Sequence, residues 1–445
     1  MLAIILSILA FVSCFLAGRR SIGKGLVVLL TFGYFYGIVR ANLLTTFSHF
    51  IFDAGMLGLY LSYPWLSASR EKGAETVRVW AALLILWPLL LVALPFQPLL
   101  ISLVGLRGSV FFIPLLVLGS RLKGKSLIEL SVGLAVLNVI ALGFGVAEYI
   151  LGVPRFFPVS PVTQIMYASN DVAGGFLRIP ATFSGAHAYG GMMVSTMPYL
   201  IGLWTGSQQG WHRLLAMAGI AAAMIGVLMS ATRSNFIFGC AMIAFVFFTS
   251  RMNRRHRVFF LLFVIGAGIA ALANPRFQRF KSLDDTSYIT ERVAGSVNRG
   301  FWEILADYPM GNGLGGGGTS IPYFLEGQVR NPIGMENEYA RILAEQGIVG
   351  LLLWLFFLTW FFYRGRVAFE NGPWNTTRRL NWCLIAVCFG TAWIGTGLLT
   401  SIPGTALLII GAGWVVMPPE THPTGGQQDG WRGQVEQRQK VYVPA

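Results

Sequence analysis

The sequence has little charge: Asp, Glu, Lys and Arg make up 12% of its 445 residues. A soluble chain of this length could not cover its surface with so few charged side chains, so the composition excludes an ordinary soluble protein. Hydrophobic residues account for 55% of the chain, and its mean hydropathy is strongly positive. We therefore predict an all-α polytopic integral membrane protein.

Cysteine is also scarce. Cys14, Cys240, Cys383 and Cys388 all lie in apolar runs, and their spacing is not that of metal ligands. We interpret them as small core residues. A secretory signal peptide is not expected, because no basic region precedes the first apolar run and no clear small-residue cleavage site follows it. This run is expected to be the first membrane span.

Apolar runs of roughly 20 residues, the length needed to cross a bilayer, follow one another along the chain. We predict twelve to thirteen spans. The third carries His49 and Asp53, and the short TSIPG connection between the last two favours a tight hairpin. The candidate segments are 2–18, 25–40, 43–63, 79–96, 99–120, 127–151, 188–205, 214–231, 233–250, 257–274, 347–363, 381–398 and 401–417.

In a soluble protein the net charge of +14 would favour nucleic acid as a partner. Here the distribution of the basic residues accounts for the net charge without a nucleic-acid partner. Every second connection between spans is basic, and the positive-inside rule places such connections in the cytoplasm. The long segments 152–187 and 275–346 then lie outside. The residues that define the basic connections are Arg19, Arg20, Lys24, Arg70, Lys72, Arg78, Arg121, Lys123, Lys125, the run RMNRRHR (251–257), Arg364, Arg366, Arg378 and Arg379.

These predictions divide the chain into four parts. Residues 1–274 are expected to form a helix bundle that carries the external loop 152–187. Residues 275–346 form a large external loop, which is uncommon at this length unless the loop is functional or disordered. Residues 347–417 form the last spans, and residues 418–445 a disordered cytoplasmic tail rich in Gly, Gln and Pro.

The large external loop has a pattern of its own. Its middle predicts a helix over 287–306, which the turn DYPMGNGLGGGG (307–318) ends. A second helix begins at Glu336 or Asn337 and is expected to run without interruption into the span 347–363.

The start of this second helix is rich in charge. Glu338 and Arg341 lie three residues apart, and Arg341 and Glu345 four, which predicts a ladder of ion pairs on the helix surface. Gly347 and Gly350 would let a neighbouring helix approach closely.

One arginine, Arg107, lies inside the apolar run 99–120. An intramembrane arginine is a functional candidate by default. The alternative is a structural pair with a buried carboxylate, either Asp53 or Glu148, and the sequence favours neither interpretation.

Four segments between residues 178 and 360 carry a recognisable pattern. RIPATFSGAHAYGGMMVSTMPYL precedes a span, MSATRSNFIFG lies between two spans, DYPMGNGLG is a glycine turn, and ENEYARILAEQGIVGLLLW leads into a late span. In this order they resemble four motifs of the O-antigen polymerase and ligase superfamily. The N-terminal half resembles that family only in being a series of membrane helices.

The resemblance implies a glycosyltransferase with an all-helical fold similar to the GT-C class. Such enzymes work outside the membrane and move a glycan from a polyprenyl diphosphate lipid to an acceptor hydroxyl, with no nucleotide sugar, metal or other cofactor. The expected location is the bacterial cytoplasmic membrane. The expected partners are a polyprenyl-diphosphate-linked oligosaccharide, membrane lipids, and chain-length regulator and export proteins.

A diphosphate leaving group develops negative charge, which fixed arginines stabilise because their planar guanidinium binds phosphate oxygens in pairs. Arg178, Arg233, Arg292 and Arg299 are the candidates. For Arg233 the alternative is an interfacial snorkelling arginine, and for Arg292 and Arg299 it is helical ion pairing. The last motif adds three expected substrate-binding residues: Asn337, Tyr339 and Arg341.

The acceptor hydroxyl needs a carboxylate or imidazole as its general base, and the candidates are Glu336, Glu338 and His187. For Glu338 the alternative is the ion pair with Arg341. Ligases of the family carry a histidine where Glu336 stands, so this difference favours a polymerase over a ligase. The alternatives are a helix cap for Glu336 and a hydrogen-bonded structural role for His187. A transporter of lipid-linked glycans is less favoured, because the sequence shows no internal repeat.

Overall fold

The computed structural model describes residues 1–63, 73–168, 177–249, 300–318, 321–334, 337–395 and 397–419, with a few isolated positions between 258 and 269. The regular elements of these residues are helices. The α-helices are α1 (Leu2–Arg20), α2 (Ile22–Tyr34), α3 (Tyr36–Asn42), α4 (Ile51–Leu61), α5 (Ala74–Leu91), α6 (Leu99–Val110), α7 (Pro114–Gly119), α8 (Gly124–Leu151), α9 (Gln164–Ala168), α10 (Ala186–Gly206), α11 (Gly210–Met229), α12 (Arg233–Thr249), α13 (Gly300–Asp307), α14 (Glu338–Ala368), α15 (Asn375–Thr391) and α16 (Gly404–Val415).

The predicted class is confirmed: the protein is an all-α polytopic membrane protein. Within the described residues, six helices are long and apolar enough to cross a bilayer: α1, α5, α6 with α7, α8, α11 and α14. A seventh span is possible if α2 and α3, which meet at a bend of 41°, count as one.

The predicted number of twelve to thirteen spans is therefore higher than the number of helices that meet these criteria. Helices occupy the other predicted positions, but several are short. In the third predicted span a 3-10 helix (Thr46–Phe50) precedes α4, which has 11 residues. At 1.5 Å per residue, α4 is too short to cross a hydrocarbon core of about 30 Å by itself. The predicted span 257–274 lies outside the described ranges.

The connections gather at two ends of the bundle. At the first, which we call the motif end, Ile38 N–H donates to the Thr182 carbonyl at 3.0 Å and Glu338 N–H to that of Ala392 at 2.9 Å. The motif end comprises the connections 43–50, 92–98, 152–168, 177–185, 230–232, 308–337 and 392–403 where they are described.

At the second, which we call the basic end, Arg364 donates to the Val416 carbonyl at 2.8 Å, and Ser21 donates to Glu129. The basic end comprises the connections 20–22, 120–124, 207–209, 369–374 and 416–419. The described connections that carry the basic residues of the sequence therefore lie together, opposite those that carry the family-like motifs.

The bundle interior is held by a polar network in addition to its apolar core. The Tyr34 hydroxyl donates to Asn138 Oδ1 at 2.7 Å, and Asn138 Nδ2 donates to Thr196 Oγ1 at 2.8 Å. All three side chains are buried, so these bonds satisfy groups that would otherwise be costly in an apolar interior. The network joins α2, α8 and α10, and α10 carries the second half of the first motif into the centre of the bundle.

Candidate active site

Helix α14 begins at Glu338, where Asn337 caps it. The Asn337 side chain accepts from Tyr339 N–H at 2.9 Å and from Ala340 N–H at 3.1 Å. The predicted start at Glu336 or Asn337 is thus within two residues of the observed one. An Asn at this position satisfies amides that the first helical turn leaves without partners.

The predicted ion pairs are confirmed, but their predicted position on the surface is wrong. Arg341 donates to Glu338 Oε1 from Nη2 at 2.6 Å and to Glu345 Oε2 from Nη1 at 2.7 Å. Arg341 and Glu338 are each 1% exposed and Glu345 is fully buried. We call these three residues the ion-pair triad. Glu338 Oε2 also accepts from Gly397 N–H at 2.8 Å, which binds the triad to the 392–403 connection.

The helix does not run uninterrupted into the span as predicted. Gly347 has φ 68° and ψ −172°, a conformation that essentially only glycine adopts, and it kinks α14. In a regular helix Ile348 N–H would bond to the Ala344 carbonyl. Here Ile348 N–H donates to the Pro309 carbonyl at 2.9 Å, and the Ala344 carbonyl accepts from Asn312 N–H at 2.6 Å.

The glycine turn 308–318 therefore inserts into the break in α14. Its closest approaches leave no room for side chains: a Cβ on Gly105 of α6 would lie 2.2 Å from Gly315 N. Gly315 has φ 81°, in the left-handed region. The turn thus packs between α6 and α14 through backbone atoms, and this explains why the motif needs so many glycines.

Two amide side chains fasten this turn, and the sequence analysis missed both. Gln97 Nε2 donates to the Asn312 and Arg330 carbonyls, both at 2.9 Å, and its Oε1 accepts from Arg330 N–H at 2.9 Å. Asn312 Nδ2 donates to the Asn331 carbonyl at 2.9 Å. The sequence contains one signal for these hydrogen bonds: Gln97 is a single polar residue between apolar runs, at the end of a predicted span.

A second group of predicted site residues meets at the motif end. Arg178 donates from Nε to the Ser230 carbonyl at 3.0 Å, and its Nη1 lies 2.8 Å from His187 Nε2. Arg233 begins α12 three residues after Ser230. The structure thus brings together the first two motifs, which are about fifty residues apart in sequence. We call Arg178, His187 and Arg233 the arginine cluster.

The backbone beneath the arginine cluster is held from two sides. Ala181 N–H donates to Glu148 Oε2 of α8 at 2.9 Å, and Ala181 has φ 51°. Ile38 N–H of α3 donates to the Thr182 carbonyl. Close packing adds to these bonds, because a Cβ on Gly37 would lie 2.0 Å from the carbonyl carbon of Phe183. This segment is the part of the first motif between Arg178 and His187.

The remaining predicted site residues divide into two sets. Tyr339 is buried and its hydroxyl donates to the Phe389 carbonyl at 2.6 Å, so Asn337, Tyr339 and Arg341 all bond to the protein itself. Substrate binding by these three residues stays a prediction. Glu336, Arg292 and Arg299 lie outside the described residues, as does most of the predicted helix 287–306, of which α13 is the described end.

The open question about Arg107 has an answer in the structure. Its Nη2 donates to Asp53 Oδ1 at 2.8 Å, and its Nε donates to Asp53 Oδ2. Of the two carboxylates considered, Asp53 is the partner and Glu148 is not. The pair joins α4 to α6 at the motif end.

The middle of the chain matches a known family. Residues 193–355 match the family model described as O-antigen ligase. The resemblance to the O-antigen polymerase and ligase superfamily is confirmed. The matched segment includes Arg233, the glycine turn and the ion-pair triad, whereas Arg178 and His187 precede it. A comparison with the curated proteins found no match.

The match of residues 193–355 to the O-antigen ligase model supports glycan transfer of the O-antigen ligase and polymerase type. The long apolar helices support an integral membrane protein. Among the described residues there is no group of three or more His, Cys, Asp or Glu side chains that could hold a metal ion. A reaction without a metal stays an expectation from the resemblance.

Proposed function

We propose that this protein is a polysaccharide polymerase that joins oligosaccharide repeat units carried by polyprenyl diphosphate on the external face of the cytoplasmic membrane. The observation that carries the proposal is the arginine cluster, which brings two family-like motifs into contact at the end of the bundle opposite the basic connections. By the positive-inside rule this end faces outward.

The reaction replaces one C–O bond by another. The acceptor hydroxyl oxygen attacks the anomeric carbon of the donor glycan, and the bond from that carbon to the diphosphate oxygen breaks. The diphosphate lipid leaves with the electron pair, and the hydroxyl proton passes to a base. Arg178 and Arg233 stabilise the charge that develops on the diphosphate, because guanidinium groups remain protonated and bind phosphate oxygens in pairs.

The contact between Arg178 and His187 favours Glu336 as the base. An arginine only donates, so His187 Nε2 at 2.8 Å accepts, and the imidazole proton lies on Nδ1. The lone pair that His187 would use to take a proton is therefore engaged with Arg178. We assign His187 the role of holding Arg178 in position. We assign Glu336, which directly precedes the cap residue Asn337, the role of accepting the hydroxyl proton.

The second candidate function is that of a ligase, which transfers a finished glycan to a lipid or protein acceptor. The match to the O-antigen ligase family model favours it. The glutamate at position 336 favours the polymerase, since ligases of the family carry a histidine there.

One experiment separates the two functions. The purified protein is incubated with a lipid-linked repeat unit, and the products are resolved by size. A polymerase yields a ladder of longer glycans on the lipid carrier, whereas a ligase leaves their length unchanged and needs a separate acceptor. A protein that yields neither product, although it is folded and supplied with both acceptors, would contradict the proposal.

The orientation has its own test. Cysteine substitutions are introduced at Ser320, in the large external loop, and at Gln427, in the tail. We expect a membrane-impermeant thiol reagent to label Ser320→Cys in intact cells and Gln427→Cys only after the membrane is opened. Labelling of Gln427→Cys in intact cells would contradict the orientation.

A further inference from the structure

A second basic group lies at the motif end, outside the arginine cluster. It consists of Arg40 in α3, His49 in the 3-10 helix Thr46–Phe50, and Arg107 in α6, and we call it the N-terminal cluster. Electrostatic interactions link both arginines to His49. None of these residues falls within the segment 193–355 that matches the O-antigen ligase family.

The two arginines of the N-terminal cluster carry two positive charges, and the single carboxylate that the structure describes beside them, that of Asp53, balances only one. Asp53 binds Arg107, whose side chain remains 29% exposed. The Arg40 guanidinium carbon lies 5.1 Å from the centre of the Tyr36 ring. In the described part of the chain Arg40 has no carboxylate partner, and its Nε is buried without a hydrogen bond. An uncompensated guanidinium in such a setting is costly, and an anionic ligand would remove this cost.

His49 adds an unused donor and acceptor. The residue is 8% exposed, and its imidazole makes no hydrogen bond to the residues that the structure describes. Burial, together with Arg40 and Arg107, lowers the pKa of His49 to about 4, so the imidazole is neutral near pH 7. A neutral imidazole can donate from one nitrogen and accept at the other, which suits a phosphate oxygen or a sugar hydroxyl.

Exposed aromatic rings surround the N-terminal cluster. The Phe324 ring meets His49 edge-on with the ring centres 5.7 Å apart, and Tyr323 lies beside it. Phe47, Phe50, Tyr323 and Phe324 are 56%, 43%, 42% and 38% exposed. Aromatic rings at a membrane surface often serve only as anchors. Here they border a buried imidazole and an uncompensated arginine, a combination that suits a sugar ring attached to a phosphate.

The two clusters border the same backbone segment. Ile38, two residues before Arg40, donates to the carbonyl of Thr182. Thr182 lies between Arg178 and His187 of the arginine cluster. Both clusters are therefore connected to the 178–187 segment.

We propose that the N-terminal cluster binds the diphosphate of a second lipid-linked glycan, while the arginine cluster binds that of the first. The inference rests on the proposed function, because a polymerase joins two glycans that each carry a lipid diphosphate. A ligase, whose acceptor is a different molecule, has no need of a second diphosphate site. The Arg40 guanidinium and the His49 imidazole bind the phosphate oxygens, and Tyr323 and Phe324 contact the adjoining sugar.

The test is a binding stoichiometry. The full-length protein, in nanodiscs that contain phosphatidylglycerol, is titrated with polyprenyl diphosphate and analysed by native mass spectrometry. The phosphatidylglycerol competes for any site that merely binds a lipid phosphate. We expect two equivalents of polyprenyl diphosphate on the wild type, one on Arg40→Gln, one on Arg233→Gln and none on the double variant. Arg20→Gln, an exposed arginine at the basic end, is the matched control and retains both equivalents.

Binding that a variant retains at the unchanged site also shows that the variant is folded. Retention of the equivalent that depends on Arg233 shows that Arg40→Gln is folded. His49→Ala, which keeps the charge, is expected to weaken the same equivalent about tenfold, as for the loss of one hydrogen bond to a charged group. Two equivalents of polyprenyl diphosphate on Arg40→Gln would refute the second site and leave the proposed function intact. A single equivalent on the wild type that only Arg233→Gln removes would have the same meaning. No binding to the wild type would refute both.

Discussion

The ion-pair triad and the arginine cluster both place an arginine at the motif end, in opposite environments. Arg341 is 1% exposed and lies between two carboxylates, which balance its charge. Arg178 is partly exposed, and the groups that the structure places against it include a backbone carbonyl and an imidazole, which are neutral acceptors. We interpret Arg341 as an arginine that stabilises the fold, whereas Arg178 is the one that we propose binds the substrate.

This difference bears on the four family-like motifs. The last motif, which contains the ion-pair triad, carries the most charge, but its described residues build the scaffold into which the glycine turn inserts. The first two motifs carry less charge and supply the arginine cluster. The described residues of a charge-rich motif can therefore be structural, while motifs with less charge supply the arginines that we propose bind the diphosphate.

Removal of Arg341 should have the largest effect, and the effect should be on stability. Arg341→Ala leaves Glu338 and Glu345 buried without their cation, a change that costs about 3–5 kcal/mol. We expect a lower midpoint of thermal unfolding in detergent and little change in polymer formed per folded molecule. As a control, the triple variant Glu338→Gln, Arg341→Met, Glu345→Gln should regain most of the stability. A stable Arg341→Ala protein that makes no polymer would instead place Arg341 in the substrate site.

Arg233→Ala should have the opposite result to Arg341→Ala: a loss of activity and not of stability. We expect a folded protein whose polymer formation is lost, by about 10²–10³-fold, the usual effect of removing one group that stabilises transition-state charge. Arg233→Lys should restore only a fraction, because an ammonium cannot bind two phosphate oxygens through a planar fork. Polymer is measured at equal expression. Arg213→Ala, at an exposed position of the basic end, serves as the control. Normal polymer from Arg233→Ala would return this residue to a structural role.

Glu336→Gln tests the base. The amide keeps the size of the side chain but cannot take a proton, so polymerisation should fall by about 10² or more. If Glu336 only caps α14, the variant should lose no more than about 1 kcal/mol of stability and keep its chain length on the carrier. Glu336→Asp should retain part of the activity. Full-length polymer from Glu336→Gln would move the general-base role to His187.

Gly347→Ala should have the smallest effect of the four. Its φ of 68° is unfavourable for alanine, and a Cβ there would lie 2.6 Å from the carbonyl carbon of Met310. We expect a loss of about 1–3 kcal/mol, the usual cost of such backbone strain. The unfolding midpoint should fall relative to Gly143→Ala, a helical glycine with no other group within 4 Å. Equal stability of the two variants would show that the kink is not required.

The sequence predicted those parts of the fold that depend on local spacing. The apolar runs predicted the helix positions, and spacings of three and four residues predicted both pairs of the ion-pair triad. Burial of the triad was not predictable, because it depends on the glycine turn and the 392–403 connection, which are distant in sequence. The choice of Asp53 for Arg107 has the same cause, since 54 residues separate them.

The kink in α14 was missed for another reason. The spacing between Gly347 and Gly350 is typical of close helix packing, and this packing is a sufficient explanation for a glycine at position 347. Only the position of the glycine turn shows that Gly347 breaks the helix. The candidate site was partly predictable: sequence motifs named Arg178, His187 and Arg233, but not the hydrogen bonds from Gln97 and Glu148 that hold the surrounding backbone.

The break in α14 has a consequence for how this part of the protein unfolds locally. Because Ile348 and Asn312 each complete a hydrogen bond across the break, neither amide can be released without separating the glycine turn from the membrane helix. The turn and the helix therefore form one cooperative unit. Their amide protons should show a common degree of protection from exchange with solvent, set by the opening of that unit and not by the fraying of a loop.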